Sequence, residues 1–279
     1  MSYRQVTRGD RISGYRVLEK VGQGGFGSVW KAEIVEGEVG FVALKVPRDP
    51  LSLDCLRREA QFRLDHPRIV KILGLDAGAD PPCLVLEYVE GRNLRRRMLE
   101  EGILPPARAI DLALEVCDAL SFVHARGILH KDIKPENILL TRSGVKVADF
   151  GLARSLEPSA SRIVLSAEAR PSGVPVLGSV FYMAPEQRTG DRPLDPRADV
   201  YSLGVVLFEA LTGELPLGMS LPSELNPVVS DDLDAICKRA LSLDRDRRYA
   251  GAEELRRDLE QARAGYGSVR GRRPVGSNS

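Results

Sequence analysis

Asp199 to Thr212 reads DVYSLGVVLFEALT, apolar on nearly every side of a helix, so this segment demands a core that encloses it on all faces. Gly213 follows as a C-cap candidate. The apolar run Val200 to Leu211 is too short to span a bilayer, and Glu209 interrupts it. A buried spine of this kind needs amphipathic neighbours, and the chain supplies them. From Pro105, PPARAIDLALEVCDALSFVHARG places Ile110, Ala113, Val116, Leu120 and Val123 at helical spacing, with prolines at its start and Gly127 past its end. SDDLDAICKRAL and AGAEELRRDLEQA give two further amphipathic helices with acidic first turns. The first ninety residues have a different character. YRVLEKV, SVWKAEI and FVALKV read as an antiparallel meander, a helical pattern around CLRREAQF gives way at DHP, and Ile69 to Leu75 and Leu84 to Val89 read as two more strands. The expected class is therefore α+β, with a small antiparallel β part carrying one helix and a larger, mainly helical part.

The chain has 279 residues, enough for one large domain or two small ones. Forty basic residues face thirty-nine acidic ones, so no global field directs the chain to nucleic acid or to a membrane surface. Cys55, Cys83, Cys117 and Cys237 are widely spaced and form no metal-type pair, which suits reduced thiols in the cytoplasm. The polar N-terminus lacks the apolar stretch of a secretory signal, and no membrane contact is evident. The last fifteen residues, GYGSVRGRRPVGSNS, read as a disordered tail.

VGQGGFGSV, from Val21 to Val29, places Gly22, Gly24 and Gly27 in a G-x-G-x-x-G pattern between two strands, with Gly25 and Phe26 inside it. Without a Cβ, such a loop lets backbone N–H groups approach phosphates, although an ordinary hairpin turn has the same composition. A dinucleotide fold is disfavoured because SVWKAEI continues as a strand where that fold needs a helix. Lys45 ends the strand VALK one strand further on, and Glu59 is the best-placed acidic partner for its ammonium.

HKDIKPENILL, from His130 to Leu140, and ADFG, from Ala148 to Gly151, complete a set that resembles the eukaryotic-type protein kinase superfamily, in family order from about residue 14 to about residue 262. YMAPE (Tyr182 to Glu186), DVYSLG (Asp199 to Gly204) and Arg248, as partner of Glu186, fit the same pattern. The resemblance implies a two-lobe catalytic domain over 14–264, with the N-lobe at 14–88, hinge and C-lobe at 89–264, an extension at 1–13 and the tail at 265–279. It implies Asp132 as catalytic base, Lys134 near the transferred phosphoryl, and Asn137 and Asp149 as ligands of Mg2+ beside ATP. Phe150 becomes a packing switch. Leu86 becomes the gatekeeper, Glu87 and Val89 the backbone contacts to adenine, and Val21, Val29, Ala43 and Leu139 its apolar walls. Lys134, two residues after Asp132, and Ser179 resemble the serine/threonine branch, and YMAPEQ resembles bacterial, Hanks-type members. The implied function is transfer of the γ-phosphoryl of ATP to serine or threonine hydroxyls of a protein substrate, with autophosphorylation. The rival is a pseudokinase that serves as a binding scaffold.

The pattern is departed from in four places. Glu59 lies seven residues before His66, closer than in most relatives, and Arg63 stands where an apolar residue is usual, so Phe62 has to rotate in or the helix must distort. The stretch from Pro216 to Ser230 is brief. Lys131 replaces an arginine, and 149–186 contains serines but no threonine, which implies weak dependence on activation-loop phosphorylation. Arg92, Arg95, Arg96 and Arg97 read as a solvated face balanced by Glu100 and Glu101, and His66 and His124 as capping or packing residues.

Overall fold

The computed structural model describes residues 3–24, 27–36, 39–150, 154–155, 179–190, 192–218 and 220–268. Strands β1 (Arg11–Ile12), β2 (Tyr15–Gly24), β3 (Gly27–Ile34), β4 (Phe41–Pro47), β5 (Ile72–Asp76) and β6 (Cys83–Glu87) form one sheet. Its order is β1-β2-β3-β4-β6-β5, and every pairing is antiparallel. Val42, Leu44 and Val46 of β4 pack with Val17, Ala32 and Val85 in a small core. That core also takes Ile12, 1% exposed, and the partly buried Val6, so the residues ahead of the meander lie on the sheet.

Helix α1 (Pro50–Glu59) follows β4. Asp49 caps it by accepting Ser52 N at 2.8 Å, and Pro50 occupies the first turn, where a missing N–H costs nothing. The helical pattern continues in sequence toward DHP, but the helix stops at Glu59. Leu53, Leu56 and Glu59 form its buried stripe, and the next position on that stripe belongs to Arg63, which stays exposed. With a charged residue at that position of the stripe, the chain turns tightly through Phe62 N to Glu59 O, 3.0 Å. Leu64, 7% exposed, then enters the large core. The apolar position therefore falls to Leu64, with Phe62 only partly buried against that core.

The second part begins with β7 (Arg92–Asn93) and α2 (Leu94–Glu101), capped by Asn93, and α3 (Pro106–His124). Strands β8 (Ile128–Leu129), β9 (Ile138–Thr141) and β10 (Gly144–Val147) follow; β10, β9 and β7 form a sheet in that order, and β11 (Arg154–Ser155) pairs with β8. Then come α4 (Pro185–Thr189), α5 (Arg197–Thr212), the short α6 (Pro222–Leu225), α7 (Asp231–Ala240) and α8 (Ala252–Ser268). Helix α5 is buried at every position from Ala198 to Leu211, and Gly213 closes it at φ +79° with its N–H on Glu209 O at 2.7 Å. Helix α8 runs four residues into the stretch expected to be a tail, and Tyr266 there accepts Ser230 N at 2.8 Å. Residues 269–279 of that stretch lie outside the described residues. Among the described residues no helix is long and apolar enough to cross a membrane.

Candidate active site

The hairpin β2–β3 brings Gly22 opposite Val29 and Gly24 opposite Gly27. Gly27 has φ +152°, and a Cβ on it would lie 1.9 Å from Val46 O, so only glycine fits where the hairpin crosses β4. Gly25 and Phe26 lie outside the described residues. Ala43 pairs with Leu86 across β4–β6, Leu139 lies on β9, and Val21 and Val29 lie on β2 and β3. The Glu87 side chain accepts Lys71 N at 2.8 Å and Lys146 Nζ at 2.6 Å, which ties the end of β6 to β10.

Lys45 is the centre of the first charged cluster. Its Nζ lies 2.6 Å from Glu59 Oε2 and 2.7 Å from Asp149 Oδ1. Burial opposes its charge, but the carboxylates of Asp149 and Glu59 reverse this and hold the ammonium above its ordinary value. Burial raises Glu59, and Asp149 adds to that, because one cation serves two carboxylates. Asp149 has φ +68°, and its neighbour Phe150 is buried against the His130 ring, centroids 4.5 Å apart, in the same core as Leu64.

The second cluster surrounds Asp132. Lys134 Nζ donates to Asp132 Oδ2 at 2.7 Å, and Asn137 Nδ2 donates to the same oxygen at 3.0 Å and to Asp132 O at 2.8 Å. Burial raises the Asp132 carboxyl above its ordinary value, with Lys134 opposing. The Asn137 amide orientation that these bonds impose leaves Oδ1 as its oxygen donor. Asn137 and Asp149 thus offer hard oxygen ligands, the donor type and number with which Mg2+ is held when substrate phosphates and water complete its shell.

One buried carboxylate shapes the loop between these clusters. Asp199, at the start of α5, accepts His130 N at 2.9 Å, Lys131 N at 2.8 Å and His124 Nε2 at 2.8 Å. Burial would raise it, but His124, His130 and the Lys131 N–H together hold it below the ordinary carboxylate range. His124 is thus a hydrogen-bond partner of Asp199 as well as a packing residue, while His66 packs on Phe122 and accepts Arg68 N at 3.2 Å. Lys131 takes φ +69°, and Gln187 Nε2 grips its carbonyl at 2.6 Å. Glu186 and Arg248 form a bidentate pair, at 2.7 and 2.9 Å, that ties α4 to the turn before α8. The Ser179 side chain and the activation-segment serines Ser159, Ser161, Ser166 and Ser172 lie outside the described residues.

The arginine run needs a correction. Arg92, Arg96 and Arg97 pair with Glu100 and Glu101, but Arg95 turns inward to Glu136, Glu209 and Tyr182. A signal was present in the sequence: Arg96 and Arg97 have a glutamate one turn on, whereas Arg95 has Leu99. Gln187 and the Lys146–Glu87 link carried no such signal.

Residues 15–261 match the family described as the protein kinase domain. The serine/threonine-protein kinase PknB of Mycobacterium leprae is 37% identical over 277 residues, covering 90% of this chain and 43% of its own length. PrkC of Bacillus subtilis, also a serine/threonine-protein kinase, is 36% identical over 277 residues, covering 91% of this chain and 41% of its own. The chain thus spans about two fifths of the length of these curated relatives. The crystal structure of a cysteine-to-alanine variant of the Mycobacterium tuberculosis PknI kinase domain superposes with a TM-score of 0.72 at 26% identity, covering 93% of this chain and 99% of that one. With the glycine hairpin, the Lys45 and Asp132 clusters and the buried α5 in one order and one fold, the chain belongs to the protein kinase domain family.

Proposed function

We propose that this chain transfers the γ-phosphoryl group of ATP to serine or threonine hydroxyls of a protein substrate, itself included, on the cytoplasmic side of the cell. The observation that carries this reading is the pair of clusters. Lys45 is held by Glu59 and Asp149, and Lys134 and Asn137 converge on Asp132. In this reading Lys45 and the glycine hairpin position the nucleotide. Asp132 accepts the hydroxyl proton, and Lys134 offsets charge on the moving phosphoryl. Asn137 and Asp149 would hold Mg2+, which supplies charge neutralisation on the phosphates when bound. The remaining groups fix geometry, and in a loose transition state positioning and electrostatics account for most of the acceleration. The serine/threonine kinases named above support the acceptor class. An inert scaffold is disfavoured because no chemical position is vacated. The test is transfer of label from γ-labelled ATP to the chain and to a serine peptide in the presence of magnesium, with Asp132→Asn as control. Absence of label on both, with ATP bound, refutes the reading.

A further inference from the structure

One charged cluster beside the Asp132 turn has no part in the chemistry above. Arg95 of α2 donates from Nε to Glu136 Oε1 at 2.9 Å and from Nη1 to Glu209 Oε1 at 2.6 Å. Its Nη2 donates to Glu209 Oε2 at 3.3 Å and to the Tyr182 hydroxyl, which itself donates to Glu209. Glu136 is the residue before Asn137 and four after Asp132, Tyr182 opens YMAPE, and Glu209 comes from the spine helix α5. Side-chain exposure rises from 7% at Glu209 through 26% at Arg95 to 43% at Glu136. The cluster is therefore a shaft from the core to the surface next to the proposed base. Glu209 also lines a surface cavity of about 470 Å³ with Phe208, Glu214, Leu215 and Leu217.

Two carboxylates, one of them buried, create a strong demand for a cation, because a buried charge without a partner is costly. A guanidinium fork meets that demand best, since it can bond both oxygens of Glu209 and still reach Glu136. Arg95 meets it from a helix position with no acidic neighbour one turn on, so this long-range cluster alone accounts for its placement. We propose that Arg95 is a specificity-determining residue that fills, from within the chain, a cation site flanking Asp132. Protein substrates then need no basic side chain at that place and gain nothing from one. The proposal rests on the kinase reading above.

The test compares the 279-residue chain, Arg95→Ala and Arg95→Ala/Glu209→Gln on serine peptides carrying arginine or alanine at each position near the acceptor. The unaltered chain should discriminate by no more than about twofold in kcat/KM at every position, and Arg95→Ala should prefer arginine at one position by about tenfold, or ~1.4 kcal/mol. The double variant should lose most of that preference, and KM for ATP should be the same in all three. A structural brace would not create a new preference. The proposal is overturned if the unaltered chain already favours arginine at that position, or if Arg95→Ala turns over peptides with no basic preference. Should Arg95→Ala not fold, Arg95→Gln carries the same expectations. A second readout does not depend on turnover: millimolar methylguanidinium should raise the Tm of the Arg95 variant and not that of the unaltered chain, and an equal response in both overturns the cation site. A chain that shows this differential response yet transfers no phosphoryl group leaves the site standing and refutes the kinase reading instead.

Discussion

Removing Lys45 should destabilise the fold more than removing the charge of Glu59, although both break the same 2.6 Å contact. The asymmetry follows from the cluster's charge count, two carboxylates to one ammonium. In Glu59→Gln the amide can still accept from Lys45, which keeps Asp149 at 2.7 Å, so the loss is that of one charged hydrogen bond, about 1.5 kcal/mol. In Lys45→Met, Glu59, with a side chain 3% exposed, is left beside Asp149 with no cation, and breaking a buried pair in this way costs about 3–5 kcal/mol. In the double variant no carboxylate is stranded at the Glu59 position, and Asp149, a third exposed, is solvated. The double should therefore lose about 2 kcal/mol less than the sum of the singles. The pH dependence has a fixed sign. Glu59 is already raised in the native state and rises further without Lys45, so the folded chain binds the proton more tightly than the unfolded one. The Lys45→Met penalty is then absent below the ordinary glutamate value of 4.5 and grows as pH rises through the elevated one. Urea denaturation of the four proteins at several pH values measures all of this. Additive losses, or a Lys45→Met penalty that does not change with pH, would refute the reasoning.

Asp132→Asn should lower kcat by about 100-fold or more with little change in ATP affinity, measured by steady-state kinetics and nucleotide titration; near-normal turnover would remove Asp132 from its role. Because burial raises Asp132 and Lys134 opposes, kcat/KM should fall with acid at a pH above the ordinary aspartate value of 3.8, and Lys134→Met should move that limb higher. A limb that moves lower contradicts the assignment. Gly27→Ala places a Cβ against Val46 O and should cost about 1–3 kcal/mol in urea denaturation, with weakened ATP binding. Arg248→Met strands Glu186 and should cost about 3–5 kcal/mol, most of it recovered by adding Glu186→Gln.

The two-part architecture and the two charged clusters were legible because each is written locally: alternation for β2–β4, an apolar run for α5, and short motifs around Lys45, Asp132 and Asp149. The end of α1 was not, because helical spacing continues past Glu59 and only the exposure of Arg63 against the burial of Leu64 decides where the helix stops. The inward turn of Arg95 depends on Glu209, 114 residues away, and the role of Gln187 on a backbone carbonyl. Leu99 one turn on from Arg95 marks the lack of a local partner but does not name Glu209, and nothing at Gln187 marks its acceptor. The same holds for Ile12, whose burial requires the β1–β2 pairing to exist first.

Asp199 has a consequence for the order in which the candidate site is assembled. The N–H groups of His130 and Lys131 reach forward 69 and 68 residues for their acceptor, and Lys131 holds a left-handed backbone worth about 1–3 kcal/mol of strain. Nothing nearer in sequence supplies that carboxylate among the described residues. While the chain is being synthesised, every side chain assigned to nucleotide and metal is present once Asp149 has emerged, yet the loop carrying Asp132 has no reason to adopt its working shape until α5 docks. Long-range closure of this kind comes late, since the entropy of the intervening chain must be overcome first. A nascent or partly unfolded chain therefore holds the charged groups of the candidate site without their geometry, and that geometry arrives together with the completed helical core.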